Sequence, residues 1–351
     1  MFAGPAGFRA ATVAECALSG ALALALSLGS ATASFAEVGA LERIRARDTL
    51  VCAVTHDLPG FAQRGDDGRW RGFDIDFCRA VAAAVLGDGG RLRITKARID
   101  SSFALLQSGD ADLLLYGTPL SLGSNAGQGV EQVAPLYFDG QAFAVRSSLV
   151  GGDLSVLDGR TLCVAADGQT GAIARETLHA RGLSFHLVTL ASDRAVRREF
   201  AAGKCDAISA GRRVLTVLAE GAAEQASQRI LPLTVSKEPL SPTVARSDPE
   251  FLQVVRWTRN ALIAAEELGV TAANRAELER DSEDPTTRRL LGLEGELGKA
   301  LGLDAAWAAR AIAAVGNYGE IFARHLTPLG VERGLNALRR DGGILDSPPF
   351  L

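Results

Sequence analysis

From residue 49 onward, short apolar runs alternate with longer segments whose apolar residues recur at the spacing of an amphipathic helix. Alternating strands and helices of this kind predict an α/β fold with largely parallel sheets. The helix that follows the first strand is predicted to be capped by Asp74 and to stop at Gly87, because short polar residues and glycines mark helix ends. The predicted strands of the first half are 49–54, 112–116 and 141–146.

The same alternation starts again near residue 161, which indicates a second α/β unit rather than one long sheet. Chain crossings near Arg146–Ser147 and Lys237–Glu238 would then form a paired hinge between two lobes. The predicted strands of the second unit are 161–166, 185–190, 205–210 and 229–235. The predicted division is a leader at 1–36, lobe 1 at 37–145, lobe 2 at 146–238, a return to lobe 1 at 239–270, and a C-terminal helical extension at 271–351.

The leader is typical of an export signal rather than of a folded domain. Arg9 precedes an apolar run at 17–28, and small-x-small patterns for cleavage follow at 31–33 and 34–36. A run of twelve residues is too short for a bilayer, which needs about 20 apolar residues. We therefore predict a signal peptide at 1–36. A membrane-tethering helix is the alternative.

Composition narrows the possible functions. The chain of 351 residues is 47% hydrophobic and 22% charged, with a formal net charge of -4, and this mildly acidic balance argues against nucleic acid as a partner. The sequence shows no nucleophile elbow, phosphate loop or metal-ligand spacing. Of the four histidines, only His56 lies near the cleft that we expect between the two lobes. We expect a protein without a cofactor, metal or catalytic residue.

Four cysteines follow the leader, at positions 52, 78, 163 and 205. An even number in an exported chain predicts disulfides. Three pairings are possible, and the sequence environment favours Cys52 with Cys78 and Cys163 with Cys205, because each bond then lies within one half of the chain. Metal ligation is the alternative, although no Cys-x-x-Cys or nearby histidine supports it.

Several segments carry a resemblance to a known family. They include WRGFDIDFCRAVAAAVLGD at 70–88, SKEPLSP at 236–242, AEELGVTAAN at 265–274 and GNYGEIFAR at 316–324. On these segments the chain resembles solute-binding protein family 3, and within it the general L-amino acid-binding proteins of ABC transporters. The resemblance implies a type II periplasmic-binding-protein fold, with a mostly parallel sheet and helices on both faces in each lobe. It also implies a monomer in the periplasm that binds a small polar ligand and delivers it to a permease.

Ligands of open α/β sheets bind beyond the carboxyl ends of the strands, so the cleft loops are expected at 55–61, 116–124, 166–171 and 211–213. The family grips the carboxylate of an amino acid with an Arg and its ammonium with an Asp. This chain has Ser124 at the Arg position and Gly211 at the Asp position. The candidate ligand-binding residues are Asp57, Phe61, Tyr116, Thr118, Ser124, Asp167, Thr170 and Arg212.

Losing one desolvated charge partner costs roughly 2–5 kcal/mol of binding. The loss of the Arg at position 124 and of the Asp at position 211 therefore predicts an altered ligand, such as a carboxylate or amine related to an amino acid. Arg212 or Arg213 could bind an anion, although such arginines more often form a solvated helix start. Two alternatives remain open: a degenerate, ligand-free sensor or scaffold that acts through protein contacts, and, less favoured, an enzyme on this scaffold.

Overall fold

The computed structural model describes residues 39–54, 58–98, 101–115, 122, 127–166, 169–217 and 228–351. Within these residues the chain forms two five-stranded sheets and two two-stranded pairs. The strands β1 to β14 are Leu50–Val54, Gln63–Arg64, Trp70–Arg71, Leu92–Lys96, Leu113–Leu115, Val130–Gln132, Tyr137–Asp139, Gln141–Arg146, Arg160–Ala165, Phe185–Leu190, Ala207–Gly211, Gln228–Ile230, Glu238–Leu240 and Pro242–Ala245. The helices α1 to α11 are Ala40–Ala46, Phe73–Leu86, Ser102–Gln107, Thr170–His179, Asp193–Ala201, Arg212–Val217, Pro249–Glu267, Arg275–Asp281, Pro285–Leu290, Trp307–Val315 and Tyr318–His325.

The two large sheets are built on the same plan. The first has the order β4-β1-β5-β14-β6 and the second β10-β9-β11-β8-β12. In each, three parallel strands are followed by an antiparallel strand, which is β14 in the first sheet and β8 in the second. Separate apolar cores lie against the two sheets. The mixed α/β architecture with two lobes is therefore confirmed.

The crossings between the lobes lie side by side. β7 leads through Gly140 into β8, β13 leads through Ser241 into β14, and β7 and β13 pair antiparallel with Asp139 opposite Glu238. The antiparallel strand of each sheet is thus the one that follows a crossing. The placement of strand 141–146 at the end of the first half was wrong, because β8 pairs with β11 and β12 in the second sheet. The first crossing therefore precedes this strand instead of following it near Arg146–Ser147.

Helix α2 begins differently from the prediction. Gly72 is the N-cap residue, and Asp74 lies inside the first turn of the helix. A Cβ at Gly72 would lie 2.1 Å from the carbonyl oxygen of Phe61. This close approach lets loop carbonyls accept the first helical N–H groups, from Phe73 to Gly60 at 2.8 Å and from Asp74 to Phe61 at 3.0 Å. Gly87 ends the helix in the left-handed conformation, as predicted.

Both predicted disulfides are confirmed. Cys52 on β1 is bonded to Cys78 on α2, which attaches the first helix to the first sheet. Cys163 on β9 is bonded to Cys205, two residues before the start of β11, and this bond joins two neighbouring segments of the second lobe. Each bond therefore stabilises one lobe internally and leaves the crossings unconstrained.

The C-terminal helices pack on the first lobe and extend its core. Helix α10 lies along α2 and also contacts α7. The ring of Phe350, next to the last residue, lies 5.3 Å from that of Trp257 and 6.4 Å from that of Trp307. Short 3-10 turns at Lys299–Leu301, Thr327–Leu329, Gly334–Asn336 and Arg339–Asp341 connect this part of the chain.

The same extension holds the strand that leads into the first crossing. The Asn336 side chain accepts a hydrogen bond from the N–H of Phe138 at 2.7 Å and donates one to its carbonyl at 2.9 Å. The Tyr318 hydroxyl donates to the carbonyl of Leu136 at 2.8 Å. The extension therefore fixes the chain up to one residue before Asp139. It is part of the first lobe's hinge support.

Residues 1–38 lie outside the described part of the chain, so the signal peptide stays a prediction. None of the helices in the described ranges is long and apolar enough to cross a membrane.

Candidate functional site

The carboxyl ends of the parallel strands meet beside the crossings. Strand order reverses between β1 and β5 in the first sheet and between β9 and β11 in the second, and such reversals are where open α/β sheets bind ligands. Phe61 lies in the segment after β1, and Arg213 comes two residues after β11. The Arg213 guanidinium carbon is 5.1 Å from the centre of the Phe61 ring. The two strand-end regions are thus in direct contact.

Five of the eight candidate ligand-binding residues lie outside the described residues, and their roles stay predictions. They are Asp57, Tyr116, Thr118, Ser124 and Asp167. The structure describes the other three, which are Phe61, Thr170 and Arg212, and each of them lies in a different environment.

Phe61 belongs to a buried aromatic cluster on the first-lobe side. Only 1% of the residue is exposed. Its ring makes edge contacts with Tyr137 at 5.2 Å and with Phe73 at 6.2 Å. Because Tyr137 is on β7, this aromatic cluster of the first lobe is continuous with the first crossing.

Thr170 is the first residue of helix α4 on the second-lobe side. Its carbonyl oxygen accepts a hydrogen bond from the Gln141 side-chain amide at 2.9 Å, and the same amide donates to the Ser209 hydroxyl at 2.9 Å. The fully buried Gln141 therefore ties the start of α4 to β8 and β11. This arrangement positions the α4 terminus at the carboxyl edge of the second sheet.

Arg212 is directed toward its own lobe. Its guanidinium donates to the carbonyls of Leu231 at 2.9 Å and Pro232 at 3.0 Å. A third, longer hydrogen bond reaches the Thr234 hydroxyl at 3.4 Å. These contacts fasten α6 to the segment after β12. They do not by themselves test the predicted role of Arg212 in ligand binding.

Arg213 instead lies between the lobes. Its Nε is 3.2 Å from Oδ2 of Asp139, with 7% of the Arg213 side chain and 3% of the Asp139 side chain exposed. The backbone N–H of Arg213 also donates to Oδ1 of Asp139 at 3.2 Å. Burial raises the pKa of the Asp139 carboxyl, and the Arg213 guanidinium opposes this rise. A buried ion pair therefore lies where the first crossing meets the end of β11.

The space beside Gly211 is taken by carboxylates from both crossing strands. A Cβ at Gly211 would lie 2.6 Å from Oδ2 of Asp139 and 3.4 Å from Oε2 of Glu238. Glu238 in turn accepts a hydrogen bond from the Ser236 hydroxyl at 2.7 Å. The end of β11 in the second lobe thus has no side chain at position 211. The negative charge around this position comes from Asp139 and Glu238 on the two crossing strands.

The sequence did not single out Asp139 or Gln141, and it marked Glu238 only as part of a predicted crossing and not as a site residue. The only local signal is an acidic residue followed by glycine, Asp139-Gly140, after an aromatic pair. Such a pattern is common in turns, so it does not point to a site. The proximity of Asp139 and Glu238 to Gly211 depends on strand pairing, which local pattern does not reveal.

Among the described residues, no group of three or more His, Cys, Asp or Glu side chains is arranged to hold a metal ion.

Two α/β lobes joined by adjacent crossings, with strand ends in contact beside them, define a two-lobed periplasmic binding protein. The chain is 38% identical over 328 residues to the glutamate/glutamine/aspartate/asparagine-binding protein BztA of Rhodobacter capsulatus, covering 93% of this chain and 97% of that protein. It is 36% identical to the general L-amino acid-binding periplasmic protein AapJ of Rhizobium johnstonii, covering 93% and 98% of the two chains. The chain therefore belongs to the amino-acid-binding proteins of ABC transporters.

A solved structure supports the same assignment. The ABC transporter/periplasmic binding protein from Brucella ovis with glutathione bound matches with a TM-score of 0.84 and 35% identity, covering 90% of this chain and all of that one. A scan against models of protein families found no match. These relatives are binding proteins, and this chain is a binding protein rather than an enzyme.

Proposed function

We propose that this chain is the periplasmic solute-binding component of an amino-acid-type ABC transporter, a monomer that captures a small polar ligand between two hinged lobes and presents it to a permease. The adjacent crossings carry the proposal, since β7 and β13 are the links through which the sheets can rotate together. The predicted signal peptide at 1–36 supports export to the periplasm.

The ligand differs from an ordinary zwitterionic amino acid. Position 211 offers no carboxylate for an ammonium group, and position 124 carries Ser where the resemblance to the family implies an Arg. Each lost charge partner typically lowers affinity by about 30- to 4,000-fold. Binding of a standard amino acid at micromolar concentration would need replacement groups for both.

A thermal-shift screen of the mature protein, purified from the periplasm, tests this proposal. The panel contains L-amino acids, the corresponding amines, the deaminated acids, and small peptides including glutathione, which is bound in the Brucella ovis structure. A ligand at a hundredfold its Kd stabilises the folded state by about 2.7 kcal/mol. We expect hits outside the zwitterionic amino acids. Sub-micromolar binding of ordinary L-amino acids would contradict the altered preference.

Two further measurements address export and the partner. Sequencing the N-terminus of the periplasmic protein should show a start after residue 33 or 36. A retained leader on a membrane-bound protein would contradict cleavage and favour the membrane-tethering helix. Absence of any ligand, combined with capture of a protein partner other than a permease, would favour the ligand-free sensor or scaffold instead.

A further inference from the structure

The contact between the two lobes contains a positively charged side chain of the protein itself, that of Arg213. The Arg213 guanidinium stands between the Phe61 ring, at 5.1 Å, and the Asp139 carboxylate, at 3.2 Å. Both charged groups are nearly excluded from solvent. A buried carboxylate needs a partner of opposite charge, and Arg213 provides it from within the protein.

The groups around Gly211 indicate which ligand group the Arg213 guanidinium replaces. Two carboxylates, from Asp139 and Glu238, approach the side-chain position of residue 211. A pair of acids at a strand end beside a cleft would attract an ammonium or guanidinium group from a ligand. Arg213 is fixed two residues further along the same chain, so its cation needs no capture from solution.

Helix geometry explains why only one of the two adjacent arginines has this position. Successive residues of a helix point about 100° apart, so Arg212 and Arg213 at the start of α6 face different surroundings. The Arg212 guanidinium binds the carbonyls of Leu231 and Pro232. The Arg213 guanidinium lies over Phe61 in the other lobe.

We propose that Arg213 is the specificity-determining residue of the cleft: its guanidinium takes the place of a ligand ammonium at the Asp139 carboxylate, and the ligand is a small carboxylate without an ammonium group. This inference rests on the proposed function and names the ligand class of the same site. A ligand ammonium at this point loses its water, meets a carboxylate already neutralised and approaches a like charge. A ligand without that group avoids all three costs.

The first test compares matched ligands on the wild-type protein by isothermal titration. Each L-amino acid is paired with its 2-oxo and 2-hydroxy acid, which differ at the nitrogen-bearing carbon. We expect the deaminated member of the best pair to bind at least about 30-fold tighter. Equal or tighter binding of the amino acid would overturn the inference and the altered ligand preference, and it would leave the role as a solute-binding component standing.

The second test removes the built-in cation. Arg213→Met retains a long apolar stem over Phe61 and leaves the Asp139 carboxylate without this partner. We expect the variant to bind L-amino acids or methylguanidinium at least about 30-fold tighter than wild type does, and we expect Asp139→Asn to abolish that gain in the same background. No gain, or a gain that persists with Asp139→Asn, would overturn the inference.

Arg229→Met is the matched control, because it also removes one positive charge from the second lobe. Its guanidinium donates to the backbone carbonyls of Leu149 and Gly151. Its ligand preference should equal that of wild type, and the same gain in this variant would attribute the effect to net charge and overturn the role of Arg213. If wild type binds no small ligand while Arg213→Met gains cation binding, the proposed function and the ligand class both fail, and only the replacement of a ligand cation by Arg213 at Asp139 survives.

Discussion

Adding a single methyl group at Gly211 should destabilise the protein, because a carboxylate already occupies that space. A Cβ there would lie 2.6 Å from Oδ2 and 3.4 Å from Cγ of Asp139. The backbone of Gly211 is not in the left-handed region that favours glycine. The penalty of Gly211→Ala would therefore come from this contact and not from the backbone conformation.

The size of the penalty follows from how firmly Asp139 is held. Its carboxylate can move away only by giving up the ion pair with Arg213 Nε at 3.2 Å and the hydrogen bond from the Arg213 N–H at 3.2 Å. Extra atoms in a well-packed interior typically cost 1–3 kcal/mol. We expect the free energy of unfolding of Gly211→Ala to fall by about 2 kcal/mol.

Urea unfolding at pH 7.5 measures this loss, with Gly171→Ala as the control. A Cβ at Gly171 would make ordinary contact, 3.4 Å from Val164 Cγ2, and Gly171 lies in helix α4. That variant should be as stable as wild type or more stable by up to about 1 kcal/mol. In an Asp139→Ala background the Gly211→Ala penalty should vanish. A penalty that is unchanged in this background, or absent from Gly211→Ala alone, would refute the reasoning.

Three further predictions concern stability alone. Burial raises the pKa of the Asp112 carboxyl from 3.8 to about 6. Its contribution to the free energy of unfolding is therefore full below pH 3.8 and is lost as the pH rises through 6. Asp112→Asn should remove about 3 kcal/mol of this pH-dependent loss of stability, and an unchanged pH profile in urea unfolding would contradict the prediction. Asn336→Ala loses both hydrogen bonds to Phe138 and should cost about 2 kcal/mol in the same assay; a loss below about 0.5 kcal/mol would argue against the hinge support. Replacing Cys163 and Cys205 by serine opens a loop with a sequence separation of 42 and should cost about 4 kcal/mol, whereas a melting temperature equal to wild type would rule that out.

Much of the fold was predictable because its signals are local. The restart of the strand and helix pattern near residue 161 indicated two units, and the environments of the four cysteines favoured the pairing that the structure contains. Gly87 marked the end of α2 because a left-handed residue there suits glycine. The start of α2 was mistaken since Gly72 and the carbonyl of Phe61 meet only in the folded chain.

The candidate site was less predictable. Phe61 was expected among the ligand-binding residues, and the structure places it against Tyr137 and beneath Arg213. Nothing in the spacing of Arg212 and Arg213 told which one would face the other lobe. The neighbours of Gly211 were also hidden, because Asp139 is more than seventy residues away in sequence.

The sequence by itself determined the alternation of elements, the number of units and the family, because periodicity, helix ends and matching segments depend on residues close together in the chain. Only the tertiary structure decided that strand 141–146 joins the second sheet. That strand is apolar and buried along most of its length, so its pattern suits either sheet, and only its hydrogen-bond partners distinguish them. The same holds for Asp139 and Gly211, whose contact arises because strand pairing brings the first crossing beside the end of β11.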